Sequence, residues 1–141
     1  MEVNVEIPRV IHYCWFGPNK MSSLQKRCIK SWKNKLSDFD FKLWDESNTD
    51  LSHPFIREAY KGKKWAFVAD LVRLDVLYRE GGVYLDTDML LFKKIDAFLK
   101  YECFFGSENK NYISCGIIGA VPSHPFIKKC KEHYNNILLT S

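Results

Sequence analysis

Apolar residues recur along this chain with two alternating periods. Ile7 to Phe16 (IPRVIHYCWF) is a β-branched and aromatic run closed by Gly17-Pro18, which predicts a buried first strand and its turn. Leu24, Cys28, Ile29 and Trp32 then fall at helical spacing, behind Ser22 or Ser23 as a capping residue. Phe39 to Trp44 alternates and predicts a second strand. Pro54 opens a short helix through Tyr60, and Gly62 breaks it. The longest periodic segment runs from Trp65 to Arg79. Its stripe of Phe67, Leu71, Leu74 and Tyr78 is broadened by Val68, Val72 and Val76, and Gly81 stands where a helix C-cap belongs. Val83 to Leu85 is a short strand, and Met89 to Phe92 continues extended. Ile95 to Leu99 is a helical turn, followed by strands at Cys103 to Gly106 and Tyr112 to Val121. Pro122-Ser123-His124-Pro125 starts a last helix through about Leu138. Strands alternating with helices imply an α/β fold with a mostly parallel sheet, as one domain over residues 1–141.

The stretch from Lys64 to Phe92 organises the rest: a buried helix, a Gly81-Gly82 stop, a short strand, and two carboxylates where the strand ends. In an α/β protein, ligands sit at the C-terminal ends of strands. Residues two apart in an extended segment face the same way, so Asp86 and Asp88 point into one cleft. Such a pair is costly unless a cation or ligand joins it, and hard divalent ions such as Mg²⁺ or Mn²⁺ bind through one or two carboxylates plus phosphates. A bare DxD is also common as two solvated aspartates in a turn.

Two further groups sit nearby in this reading. Asp70 and Arg73, at i and i+3 in an apolar helix, form either a local salt bridge or a pair facing the same cleft. Trp15, before the Gly-Pro turn, offers a flat wall for a nucleobase, although most tryptophans are simply core. His12 reads as a hydrogen-bonded core histidine rather than a base.

Composition narrows the function classes. With 46% hydrophobic and 15% aromatic residues, the 141-residue chain is globular. A formal charge of +4, spread over lysine runs at Lys26–Lys35, Lys61–Lys64 and Lys128–Lys131, marks solvated helix faces and argues against nucleic acid. It is compatible with an anionic donor or peripheral attachment to an anionic membrane. The N-terminus shows no signal-peptide pattern, and no apolar run reaches transmembrane length. Five scattered cysteines with no CxxC suit reduced thiols in a cytoplasmic protein, and Cys130 with His133 lacks a second pair for zinc.

IPRVIHYCWFG, FKLWDES and AFVADLVRLDVLYREGGVYLDTDML together resemble the glycosyltransferases with a DxD sugar-binding region. These include bacterial capsular-polysaccharide transferases, yeast-type initiating mannosyltransferases and, more remotely, clostridial glucosylating toxins. The resemblance covers most of the chain. Its most specific part is the ordered block from Ala69 to Asp88, D-x-x-R and then G-G-x-Y-x-D-x-D.

The resemblance implies a GT-A fold, a Rossmann-like sheet that binds a nucleotide-sugar with Mn²⁺ or Mg²⁺. Trp15 resembles the tryptophan that stacks on the base, and Asp70 and Arg73 the pair that contacts the donor sugar. Asp86 resembles the first DxD carboxylate, near ribose and sugar, and Asp88 the metal ligand, so the two aspartates are the catalytic pair. The implied activity is retaining transfer of a hexosyl group, from a UDP-hexose, to a saccharide acceptor in surface or capsular polysaccharide synthesis. Related domains usually continue further, so the resemblance also implies a C-terminally short domain that a partner chain would complete. ISCGIIGA carries Cys115 where the family often has asparagine. Two other readings are a nucleotide-sugar-binding module with little turnover of its own, and a haloacid-dehalogenase-like phosphatase with Asp86 as phosphoryl nucleophile.

Overall fold

A computed structural model describes residues 5–137. In chain order the elements are β1 (Val10–Cys14), α1 (Ser23–Lys35), β2 (Asp40–Trp44), α2 (Pro54–Lys61), α3 (Trp65–Glu80), β3 (Gly82–Leu85), a 3-10 turn at Asp96–Phe98, β4 (Cys103–Asn109), β5 (Tyr112–Ala120), α4 (Pro125–His133) and a 3-10 turn at Tyr134–Asn136. The expected end of the last helix at Leu138 lies outside the described residues.

The sheet has the order β2-β1-β3-β5-β4. Strands β2, β1 and β3 run parallel, as alternation of strand and helix dictates. β4 and β5 form a hairpin joined by a short connection, and β5 pairs antiparallel with β3, so the sheet is mixed rather than mostly parallel. Helices cover both faces, which makes the molecule an α/β layered fold. One face is buried by α2, α3 and α4 and takes Cys14 and Tyr84 from the strands. The other is buried by α1 and the first 3-10 turn and takes Ile11, Tyr13, Val83 and Leu85. Successive residues of β1 and β3 thus serve opposite layers, the two-residue period of a strand.

Helix α3 is the pillar of the first layer. Val68, Leu71, Val72, Leu74, Val76 and Leu77 are buried, because α2, α4 and the sheet all pack against it. Phe67, expected on the buried stripe, is 42% exposed, with the Lys64 ammonium 5.7 Å from its ring centre. The stripe is centred one residue further on, at Val68. Leu24 of α1 likewise faces water, while Cys28, Ile29 and Trp32 are buried as the spacing implied.

Helix ends follow local chemistry. The Ser22 N–H donates to Gln25 Oε1 at 2.8 Å at the start of α1. α2 and α4 both open on His-Pro-Phe-Ile, where the histidine Nδ1 accepts the phenylalanine N–H at 3.1 Å and proline takes the first turn. No helix among the described residues is long and apolar enough to cross a membrane.

The junction between α3 and β3 fixes how the helix and the carboxylate turn face one another. Gly81 and Gly82 both have positive φ, at 70° and 119°. A Cβ on Gly81 would lie 2.6 Å from Pro122, and one on Gly82 would lie 2.8 Å from the Val10 carbonyl. Buried His12 hydrogen-bonds here: its Nε2 lies 2.8 Å from the Gly81 oxygen, and its Nδ1 accepts Trp44 Nε1–H at 3.0 Å. A carbonyl on one ring nitrogen and an indole donor on the other select the neutral Nε2–H tautomer. Burial accordingly pulls the His12 pKa down. The reading of His12 as a core histidine holds.

Candidate nucleotide-sugar site

At the C-terminal ends of β1 and β3, flanked by the N-terminal half of α3, lies a cleft of about 390 Å³. It gathers Trp15, Asp70, Arg73, Asp86 and Asp88, the five residues singled out from the sequence. They come from three segments up to 73 residues apart.

The carboxylates are presented by a turn and not by an extended strand. β3 ends at Leu85, the Asp86 N–H binds the Gly116 carbonyl at 2.9 Å, and the Met89 N–H returns to the Asp86 carbonyl at 3.0 Å. Asp86 is therefore half-buried and held on both sides, whereas Asp88 is exposed at the mouth. Tyr84, 3% exposed, donates its hydroxyl to Asp86 Oδ1 at 2.8 Å. The segment beyond is tied to α1 by Trp32 Nε1–H to the Met89 carbonyl at 2.6 Å and by Leu91 N–H to Ser31 Oγ at 3.0 Å.

Asp70 and Arg73 form an ion pair at 3.5 Å, and both still line the cleft, so the two readings of this pair coexist. One guanidinium N–H of Arg73 donates to the Cys115 carbonyl at 2.9 Å, and the group lies 5.6 Å from the Tyr84 ring centre. Its Nε is buried without a hydrogen-bond partner. A long ion pair and an orphan donor leave this arginine with bonding capacity in reserve.

Burial raises the pKa of Asp86; Tyr84 and Arg73 pull it back, and neighbouring Asp88 pushes it up. Burial also raises that of Asp70, with Arg73 opposing and Asp86 reinforcing. Asp70 and Asp86 thus share one cation, Arg73, in a half-desolvated cleft with Asp88 at its mouth, and a further cation would relieve them. Among the described residues no group of three or more His, Cys, Asp or Glu converges on a metal position. A donor set of two hard carboxylate oxygens fits Mg²⁺ or Mn²⁺ only if ligand phosphates supply other positions. Asp88 is the residue that would hold it, at the mouth of the cleft beside Asp86.

The wall around Trp15 involves residues that the sequence did not flag. Trp15 is partly exposed and its Nε1–H donates to the Asn19 carbonyl at 2.6 Å, which holds the indole in the 15–19 loop. Gly17 lies in that loop at φ 94°, and a Cβ there would stand 2.5 Å from the Trp65 ring. Glu46 Oε1 accepts the Gly17 N–H and, at 3.2 Å, the Tyr60 hydroxyl. Trp65, Ala66 and Ala69 complete the wall. The available signal was an aromatic at the helix start followed by small residues at 66 and 69, on the side that Asp70 and Arg73 share.

Comparison with known proteins settles the family. Residues 22–105 match the family described as glycosyltransferase sugar-binding region containing DXD motif. The chain belongs to this family. Phosphatase chemistry at the same aspartates is not that of the family. The chain is 31% identical over 129 residues to inositol phosphoceramide mannosyltransferase 3 of Schizosaccharomyces pombe, covering 86% of this chain and 35% of that protein. It is 24% identical to a mannosyl phosphorylinositol ceramide synthase of Saccharomyces cerevisiae, covering 91% and 36%. A human alpha-1,4-N-acetylglucosaminyltransferase is 33% identical over 81 residues, or 54% of this chain and 23% of that protein. The chain thus spans about a third of the length of the first two. The solved PaToxG glycosyltransferase superposes with a TM-score of 0.70 at 19% identity, over 88% of this chain and 58% of that one, which supports the GT-A-like fold.

Proposed function

We propose that this chain binds a nucleotide-sugar in the cleft at the ends of β1 and β3, and transfers its hexosyl group to a saccharide-bearing acceptor. The carrying observation is the convergence of Trp15, Asp70, Arg73, Asp86 and Asp88 on one cleft in a chain of the DXD family. Trp15 is the face on which the nucleobase stacks. Asp86, half-buried and held by Tyr84, accepts hydroxyl donors from ribose and sugar. Asp70 and Arg73 bond the donor hexose from the side of α3 that lines the cleft. Mn²⁺ or Mg²⁺ held by Asp88 neutralises charge that builds on the departing nucleoside diphosphate. The DXD family membership supports this assignment, as does a charge balance that lacks one cation.

The proposed donor is a UDP-hexose, transferred with retention of configuration in surface-polysaccharide assembly at the cytoplasmic side of a membrane. GDP-mannose is a second reading, favoured by the names of the relatives, several of which are mannosyltransferases.

Calorimetric titration with UDP and GDP, with and without Mn²⁺, tests the site. Metal-dependent binding of one nucleotide identifies the donor class, and hydrolysis of the matching nucleotide-hexose then separates enzyme from binding module. Absence of binding to either nucleotide in the presence of Mn²⁺ would refute the reading.

A further inference from the structure

The twelve residues from Leu90 to Tyr101 (LFKKIDAFLKY preceded by Leu90) leave the carboxylate turn and cross the surface before β4 begins. Their backbone is well anchored. Leu91 N–H is held by Ser31, the Leu99 carbonyl accepts Ile7 N–H at 2.9 Å, and Ile95 and Leu99 are buried at 5% and 1% exposure. With the chain pinned at these points, other apolar side chains of the segment reach the surface, Phe98 with one side on the Phe104 ring at 5.5 Å. Leu90, Phe92, Phe98 and Tyr101 are 40%, 73%, 47% and 50% exposed. They are four of the nine large apolar side chains exposed among the described residues, gathered into one short segment.

Three lysines are interleaved with them. Lys93, Lys94 and Lys100 are exposed, and none makes an ion pair among the described residues. The Lys100 ammonium rests 5.6 Å from the Tyr101 ring centre. The acid inside the segment, Asp96, is engaged by Arg9 at 2.6 Å, and exposed Glu102 follows at its end.

The composition selects the occupant. Lysine is depleted where one protein surface buries another, which disfavours a second copy. Exposed aromatics beside unpaired lysines fit a bilayer interface, where rings and aliphatic stems sit at headgroup depth and ammonium groups meet lipid phosphates. We propose that residues 90–101 form a docking face for an anionic lipid bilayer. Because the segment starts two residues after Asp88, docking sets the mouth of the cleft beside the membrane. This inference stands on the surface alone and does not depend on the donor assignment.

Vesicle flotation with the full chain tests it, using phosphatidylcholine with and without phosphatidylserine. The chain should partition onto the phosphatidylserine vesicles, and partition should weaken with added salt. Each lysine near an anionic surface contributes about fivefold, so K93E/K94E should lower partition at least about 25-fold. Phe92→Ser should lower it about tenfold. These side chains lie outside the core, so circular dichroism and the thermal midpoint should stay unchanged in both variants. No partition onto anionic vesicles, or equal partition by wild type and both variants, overturns the proposal. So does a concentration-dependent dimer that Phe92→Ser abolishes in the absence of lipid, which assigns the face to self-association.

Discussion

The phenol of Tyr84 donates to Asp86 Oδ1 at 2.8 Å, from a side chain that otherwise belongs to the hydrophobic layer under α3. The bond couples the core to the cleft. Burial and Asp88 push the Asp86 pKa up, and this hydrogen bond is the first force pulling it down. Tyr84→Phe should therefore raise it further while keeping the ring under Arg73. The expected cost is about 1 kcal/mol of stability. The pH curve of nucleotide binding should shift to higher pH, since a carboxylate accepts hydroxyl donors at full capacity only when deprotonated. An unmoved curve would show that Asp86 is not among the groups that titrate with binding.

Asp88 is exposed and carries no packing role. Asp88→Ala should change the thermal midpoint little, within about 0.5 kcal/mol. It should abolish the metal dependence of nucleotide binding, and it should lower the Asp86 pKa by removing a like charge. Retention of the wild-type Mn²⁺ response in calorimetry would reassign the metal ligand.

His12 makes stability pH-dependent. Its folded pKa lies below the ordinary value of about 6.5, so the unfolded chain binds the proton more readily. The neutral form's full contribution is present above pH 6.5 and is lost as pH falls toward the folded pKa, where the proton on Nδ1 would face Trp44 Nε1–H. Thermal midpoints measured between about pH 7 and pH 5 should fall more steeply for wild type than for His12→Gln. Parallel slopes would mean that another group carries the acid sensitivity.

Gly17 holds the nucleobase wall in shape. Gly17→Ala combines a left-handed φ of 94° with a Cβ 2.5 Å from Trp65, so it should destabilise by more than about 1 kcal/mol. It should also weaken nucleotide binding with and without metal, because the 15–19 loop would shift with Trp15. Unchanged affinity and midpoint would show that Trp65 moves aside freely.

Local periodicity made much of this molecule legible. The run from α3 through Gly81-Gly82 to Asp86 could be read directly, because a helix stop, a short strand and a carboxylate pair each leave short-range marks. Phe67 departs from its expected burial because the stripe on α3 is set by three neighbours at once, and a linear pattern shows only the width of the apolar surface. The residues of β4 and β5 mark two strands but not their antiparallel pairing, since strand direction depends on the connection and not on the residues within. Asp86 and Asp88 were expected along an extended segment and instead occupy a turn closed by Met89. Tyr84 and Trp65 both look like core in sequence: the two-residue offset that aims the Tyr84 hydroxyl at Asp86 is local but masked by the apolar run, and only tertiary approach brings the Trp65 ring under Gly17.

The Gly81-Gly82 junction also acts as a ruler. Asp70 and Arg73 lie upstream on a rigid helix, Asp86 and Asp88 downstream in the turn that ends a strand paired on both sides, and only two residues of freedom separate the blocks. Inserting one residue there would turn β3 over, sending Tyr84 toward α1 and Val83 and Leu85 toward α3. The two halves of the cleft are thus held in phase by the parity of a single connection, and its length can drift far less freely than the loops elsewhere in the chain.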